Sequence, residues 1–364
     1  MTNSEISIKI VDTLLSVSET DWDACAAPET ADKSRPFDPF TTYRFLRALE
    51  ESGSVGNATG WHPYYILALI GNQLLGCAPM YVKTHSQGEY IFDHAWANAY
   101  ERAGGKYYPK IQVAVPFTPV PGKRLLANNE NQEKAFPILL EGIKSFAAKN
   151  NLSSAHITFC SFDEFKKGGS LGLLKRTSSQ YHWKNEGYED FQDFLDALSS
   201  RKRKNIKKER ERAKSFGGEI VRYSGKEITE QHWDAFWNFY QDTGRRKWGQ
   251  PYLTRNFFEI AGKKLKNELL MILAEIDGNP IAGALNFVGQ DALFGRYWGC
   301  TENYSNLHFE ICYYQAIEYA IENRLSRVEA GAQGEHKLAR GYMPSHTSVS
   351  YTHLALPTNI GVGV

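Results

Sequence analysis

At 364 residues, with 42% hydrophobic and 23% charged side chains, the chain has globular composition and enough length for two domains of ordinary size. Its 42 lysines and arginines against 41 aspartates and glutamates leave a net charge of +1, which excludes whole-molecule electrostatic binding of nucleic acid. Cys25, Cys77, Cys160, Cys300 and Cys312 form no Cys-x-x-Cys pair and no His/Cys cluster with metal spacing, so reduced thiols and no metal site are expected. The N-terminus carries Glu5 and Asp12 where a signal peptide needs an apolar run, and no stretch of roughly 18 apolar residues is present to span a bilayer. A cytoplasmic location without a transmembrane segment is expected; oligomeric state is not legible.

In chain order, alternating apolar residues predict strands at 64–69, 74–82 and 89–92. A Gly-, Pro- and Tyr-rich stretch at 93–128 reads as a long loop insertion, followed by a helix at 136–149 and a strand at 156–160. The domain border is expected within 163–190, which contains Gly168-Gly169 and Ser178-Ser179. A basic helix at 201–216 should stop at Gly217-Gly218. A strand at 219–223, helices at 229–243 and 254–267, and strands at 269–276, 280–288 and 292–300 come next. Phe309, Tyr313, Ile317 and Ile321 recur at helical spacing, with Ser305 or Asn306 as cap, before a strand that starts at Arg327.

This order repeats. Gly71-Asn72 and Gly76 align with Gly278-Asn279 and Gly283 at one offset of 207 (278 − 71), each between apolar runs as hairpin-turn chemistry requires. The chain therefore reads as α/β with mixed (α+β) sheets in two copies of one unit, 1–175 and 176–348.

Three stretches could carry chemistry. Residues 201–214 hold nine basic and two acidic side chains, with Arg203, Lys207, Arg210 and Lys214 on one helical face. That face either meets water or contacts a polyanion. Gly331–Tyr342 leaves a strand through glycines and brings Glu335, His336, Lys337 and Arg340 onto one turn. His336 has the side chain suited to taking a proton near neutral pH, with Glu335 to orient it. Lys337 and Arg340 suit clamping a phosphate or carboxylate, and an ordinary polar loop is the plainer alternative. Two clusters of aromatic and basic residues, one containing His85, Glu89 and Lys110 and one at 243–252 around Trp248, suit a binding groove or a packed seam equally.

The stretches Tyr81–Trp96, Tyr107-Tyr-Pro-Lys110, Pro116-Phe-Thr-Pro119, Arg296-Tyr-Trp-Gly299 and Glu329–Tyr342 resemble the FemAB-like predicted N-acyltransferases of bacteria, relatives of the Fem peptidoglycan aminoacyltransferases. The resemblance runs from about residue 8 to about residue 350. It implies two tandem GNAT-like acyl-N-acyltransferase domains and transfer of an acyl or aminoacyl group to an amine, with a cell-wall precursor or related small molecule as acceptor. It also implies acyl-CoA or aminoacyl-tRNA as co-substrate, with no tightly bound cofactor. Arg203-Lys-Asn-Ile-x-Lys208 is similar to a helix start beside the substrate groove of the wider Fem group, which favours anion or tRNA contact by Arg203 and Lys207. Tyr297, Trp298, His85, Glu89 and Lys110 are the remaining expected substrate contacts.

Two departures from the family pattern matter. Residues 301–310 lack the glycines that hold pyrophosphate in acetyl-CoA-dependent relatives and carry Glu302 and Glu310 instead, which favours another donor. Residues 349–364 resemble translated sequencing-adapter read-through and are expected to pack poorly. The competing function class is a non-catalytic protein of the same fold that holds tRNA or an anionic surface on its basic helix.

Overall fold

The structure, a computed structural model, describes residues 6–28, 37–56, 58–91, 93–247, 251–302, 304–332 and 334–353. Trp248 of the second aromatic cluster and tail residues 354–364 lie outside the described residues. Contacts divide the chain into two compact units, the first running to Ser178 and resuming at His346, the second essentially Ser179–Ser345. The border falls inside a strand, not in a linker.

The first unit begins with β1 (Ile6–Val11), α1 (Glu19–Ala26) and α2 (Tyr43–Glu51). Ser18 and Thr42 cap the two helices by accepting a backbone N–H in the first turn. Strands β2 (Trp61–Ile70) and β3 (Gln73–Lys83) form a hairpin. Of the strand expected at 89–92, residues 89–91 are not in one, and residue 92 lies outside the described residues. The 93–128 stretch is also less of a loop than its composition suggests, since it holds α3 (His94–Arg102) and the buried strand β4 (Lys110–Val113). Then come α4 (Gln132–Lys149), β5 (Ser154–Cys160) and α5 (Phe162–Ser170), whose Ser161 and Glu164 form a capping box.

The second unit carries β6 (Leu174–Lys184), α6 (Phe191–Asp196), the basic helix α7 (Ser200–Ala213), β7 (Glu219–Ser224), α8 (Glu230–Lys247) and α9 (Arg255–Lys264). Strands β8 (Leu269–Ile276), β9 (Asn279–Val288) and β10 (Ala292–Cys300) follow. Helix α10 (Leu307–Phe309) continues through a π-helical turn at Glu310–Tyr314 into α11 (Gln315–Glu322), and β11 (Arg327–Glu329) follows. The final strand, β12 (Met343–His353), joins the first unit by pairing Ser348–His353 with β5.

Strand order is thus β1-β2-β3-β4-β5-β12 on the side of the first unit and β6-β11-β10-β9-β8-β7 in the second. In each, antiparallel strands lead to one parallel pair, β4 with β5 and β10 with β11. Helix α4 packs on the first sheet around Phe136, Leu139 and Ile143. Helix α11 packs on the second around Ile317, Ile321 and Val328. Among the described residues, no helix is long and apolar enough to cross a membrane.

The expected hairpin repeat is present with its register corrected. The first turn is Gly71-Asn72, closed by Ile70 opposite Gln73; the second is Asp277-Gly278, closed by Ile276 opposite Asn279. Only Gly71 (φ 58°) takes positive φ in the first, as in a type II′ turn, whereas Asp277 (51°) and Gly278 (72°) both do, as in type I′. A bulge follows at the same distance in both, at Leu75 and Ile281. The structural offset is therefore 206 (277 − 71 and 281 − 75), so the Gly-Asn letters match one residue out of register. Poor packing from 349 onward is also corrected for residues 349–352. Val349 is 1% exposed, and the Tyr351 ring meets those of Trp96 and His156 at 5.2 and 5.6 Å.

Candidate active site

In the second unit the parallel pair β10–β11 is short, joining only Ala292–Phe294 to Arg327–Glu329. Beyond it β10 bulges at Arg296, where its register with β9 shifts. Gly295–Trp298 are half-buried although the strand is buried on either side, and Ala330, Gly331 and Ala332 opposite them are half-buried too. Parallel strands that stop pairing leave backbone N–H and C=O groups facing a gap, and such groups need partners.

Side-chain alternation gives the gap two faces. Trp298 and Ala330 pack toward the α11 core, and Trp298 meets His308 at 5.1 Å. On the opposite face Tyr297 contacts Tyr240 of α8 and Phe258 of α9 at 5.4 and 6.3 Å. Tyr297 and Trp298, both expected substrate contacts, thus lie on opposite faces of β10 just beyond its pairing with β11.

The Glu335–Arg340 segment is a 3-10 helix, so residues three apart share a side. That spacing turns Lys337 and Arg340 inward and corrects their expected role as clamps. Lys337 Nζ donates to Ala330 O (2.5 Å) and Gly331 O (3.1 Å), holding the chain where β11 ends, and burial lowers its pKa to about 8. Arg340 donates to both oxygens of Glu209 (3.0 and 2.8 Å) and to His336 O (2.7 Å), with its guanidinium 3.4 Å above the Phe309 ring. His336 is exposed, on the α10 side, with Nε2 2.9 Å from Tyr313 Oη. Among the described residues no hydrogen bond joins Glu335 to it, whereas Tyr313 Oη is one of the partners of the imidazole.

At the apex of the gap lies a polar group that sequence reading missed. Glu329, the last paired residue of β11, accepts from Arg327 Nε on Oε1 (2.9 Å), and Arg327 also pairs with Asp291. His182 Nε2, on β6 opposite Glu329, is 3.7 Å from Oε2 and 3.2 Å from Gln180 Oε1. Burial raises the Glu329 carboxyl to about 7 against the lowering effect of Arg327. Burial, with Arg327, Lys337 and Lys184 adding repulsion, lowers His182 to about 4. Only the position of Glu329 inside the Glu329–Tyr342 motif signalled it.

The basic helix is not cationic around one whole face. Ile206 and Ala213 are buried, which turns the intervening Glu209 and Arg210 inward. Arg210 donates to Glu310 and Glu318, Tyr314 Oη donates to Glu209, and Arg203 pairs with Asp196 at 2.8 Å. Arg201, Lys204, Lys207, Lys208, Arg212 and Lys214 are exposed.

In the first unit Glu89 and Lys110 are buried against each other and not presented to a substrate, which corrects that expectation. Lys110 Nζ donates to Glu89 (2.9 Å) and Asp93 (2.6 Å), and Tyr107 Oη donates to Asp93 (2.7 Å). Lys83 lies directly across the β3–β4 ladder from Lys110, with Nζ 3.9 Å from the Trp61 ring center. Burial pushes Lys83 down to about 7 and Glu89 up to about 7. His85 is half-buried in the following loop, where its Nδ1 accepts from Gln87 N.

The profile of the FemAB-like family, described as peptidoglycan biosynthesis/recognition, matches residues 13–359. No curated protein sequence matches the chain. Among solved structures, FemX superposes with a TM-score of 0.56 at 11% identity over 94% of this chain and 96% of that one. A tandem GNAT protein from the clavulanic acid biosynthesis pathway gives 0.50 at 10% identity, covering 97% and 99%. L-PGS from Bacillus licheniformis gives 0.52 at 10% identity, covering 88% and 92%. At such identities these likenesses establish the fold, two GNAT-like units in tandem. On its near full-length profile match, the chain belongs to the FemAB-like family.

Proposed function

We propose that the chain is an N-acyltransferase that moves an acyl or aminoacyl group onto an amine, and that its second unit binds the donor in the gap between β10 and β11. The carrying observation is that parting: β10 and β11 pair only as far as Phe294 and Glu329, and the half-buried backbone beyond them suits contact with an extended acyl chain. Among the described residues the first unit offers no equivalent. After β4, residues 114–120 are all buried, and the following Arg124 is 1% exposed with hydrogen bonds to Thr158 O and Val120 O. Its parallel pair is therefore filled by its own chain.

The attacking amine needs a free lone pair and correct placement, and position supplies much of the rate. Asn306, the first residue of the α10 entry, is followed by a turn in which the paired carboxylate of Glu310 is buried and no glycine lies close. That favours aminoacyl-tRNA over acetyl-CoA as donor, and the exposed bases of α7 suit its phosphates. The family description favours a peptidoglycan precursor as acceptor. Purified protein is to be incubated with aminoacylated tRNA, or with acetyl-CoA, and an amine-bearing muramyl peptide, and the acceptor mass measured. A mass gain matching the acyl group is expected. Binding without any donor loss would support the non-catalytic class instead.

A further inference from the structure

We propose that Glu329, through Oε2, takes the proton from the attacking ammonium and is the general base of the transfer. The inference rests on the donor lying between β10 and β11. Glu329 is the last paired residue of β11, so its side chain stands where the two strands part. Val328 points into the α11 core, and alternation sends Glu329 to the other face. Phe294, its β10 neighbour, lies on that face under the Arg327 guanidinium. A donor entering from the helix side leaves this opposite face to the acceptor. His336 stands among Phe309 and Tyr313 on the helix side, away from an amine that arrives from the other.

Among the described residues the carboxylate keeps one of its two oxygens without a hydrogen-bond partner. Arg327 occupies Oε1, whereas Oε2 is buried and receives no hydrogen bond. Its charged neighbours are Arg327, Asp291 and Asp38, with His182 facing it from β6. With burial dominant, the group titrates near neutrality, where a base both holds its open form and accepts a proton readily. The proton balance is simple. An ammonium proton passes to Oε2; the freed lone pair attacks the donor carbonyl; the bond to the tRNA oxygen or CoA sulfur breaks. The second amine proton leaves with that oxygen or sulfur, and Glu329 returns its proton to water.

The test compares full-length wild type with Glu329→Gln and Glu329→Asp, using aminoacylated tRNA and acetyl-CoA as donors and the muramyl peptide as acceptor. Glu329→Gln should lower kcat by roughly 10²–10⁴-fold, abolish the rise of rate through pH 7 and leave donor Kd unchanged. Replacing the peptide by hydroxylamine, which is already unprotonated, should restore most of the lost rate. An unchanged rate and pH profile, or a loss that hydroxylamine does not relieve, would overturn the assignment. Carbon-13 titration of labelled glutamates reads the same claim without turnover. One carboxyl that titrates near neutrality should vanish in Glu329→Gln while that of Glu89 persists. Absence of such a signal overturns the assignment whatever the activity; its presence in a wild type that consumes no donor overturns the transferase reading instead.

Discussion

The two units share a strand order and differ at both ends of their parallel pairs. In the first, residues 84–109 join β3 to β4, whereas residues 289–291 make the corresponding connection in the second. The long connection folds around a buried cluster of Lys83, Glu89, Asp93 and Lys110. At the far end, the first unit buries the chain that leaves β4, while in the second β10 and β11 part beyond Phe294 and Glu329 and leave half-buried residues. One scaffold has thus been used once for internal structure and once for an opening. Charged residues in the first unit hold an insertion in place; charged residues in the second surround a gap.

The largest effect that tests this contrast is on stability. Lys110→Met leaves Glu89 and Asp93 buried without their cation, and should cost about 3–5 kcal/mol in urea unfolding. Combining it with Glu89→Gln and Asp93→Asn should recover most of that loss. Retained stability in Lys110→Met together with lost transfer would make this cluster a substrate site and break the comparison. Arg340→Ala removes the bidentate partner of Glu209, which is partly solvated, and should cost about 2 kcal/mol, less than the fully buried case.

The first cluster should also make stability depend on pH. Glu89 has a raised folded pKa, so its contribution is full below its ordinary value of 4.5 and is lost as pH rises through about 7. Lys83 has a depressed one, so its contribution is full above 10.5 and is lost as pH falls through about 7. Together they predict a stability minimum near neutrality, and Lys83→Met should flatten the alkaline branch. A melting temperature that peaks at pH 7 in wild type and is unaltered in shape by Lys83→Met would contradict this account of the cluster.

The smallest effects belong to α7. Lys207→Glu and Lys208→Glu, both exposed, should each lower the salt slope of tRNA binding by about one phosphate contact without unfolding the protein. Arg210→Glu, whose side chain is held by Glu310 and Glu318, should lower stability instead. Equal effects of all three on binding would restore the uniformly cationic face.

Much of the second unit was legible because its strands are short, apolar and separated by recognisable turns, as at Asp277-Gly278. The first was harder. Strand β4 is Lys-Ile-Gln-Val, whose polar residues alternate as they would on an exposed strand, although all four are buried. Their partners Glu89, Asp93 and Thr158 are distant in sequence, so only the fold explains the burial. At the candidate site, the Glu329–Tyr342 motif identified the right stretch but not its facing. A 3-10 helix instead of a loop decides that Lys337 and Arg340 point inward. The position of Glu329 depends on where β10 and β11 separate, which no local pattern encodes.

The central claim is that the gap in the second unit, and no counterpart in the first, receives the donor. Hydrogen–deuterium exchange of the full-length protein with and without aminoacylated tRNA tests it most directly. Protection is predicted in residues 295–300 and 327–332, with residues 111–127 unchanged. Protection of 111–127 with none across 295–300 and 327–332 would contradict it.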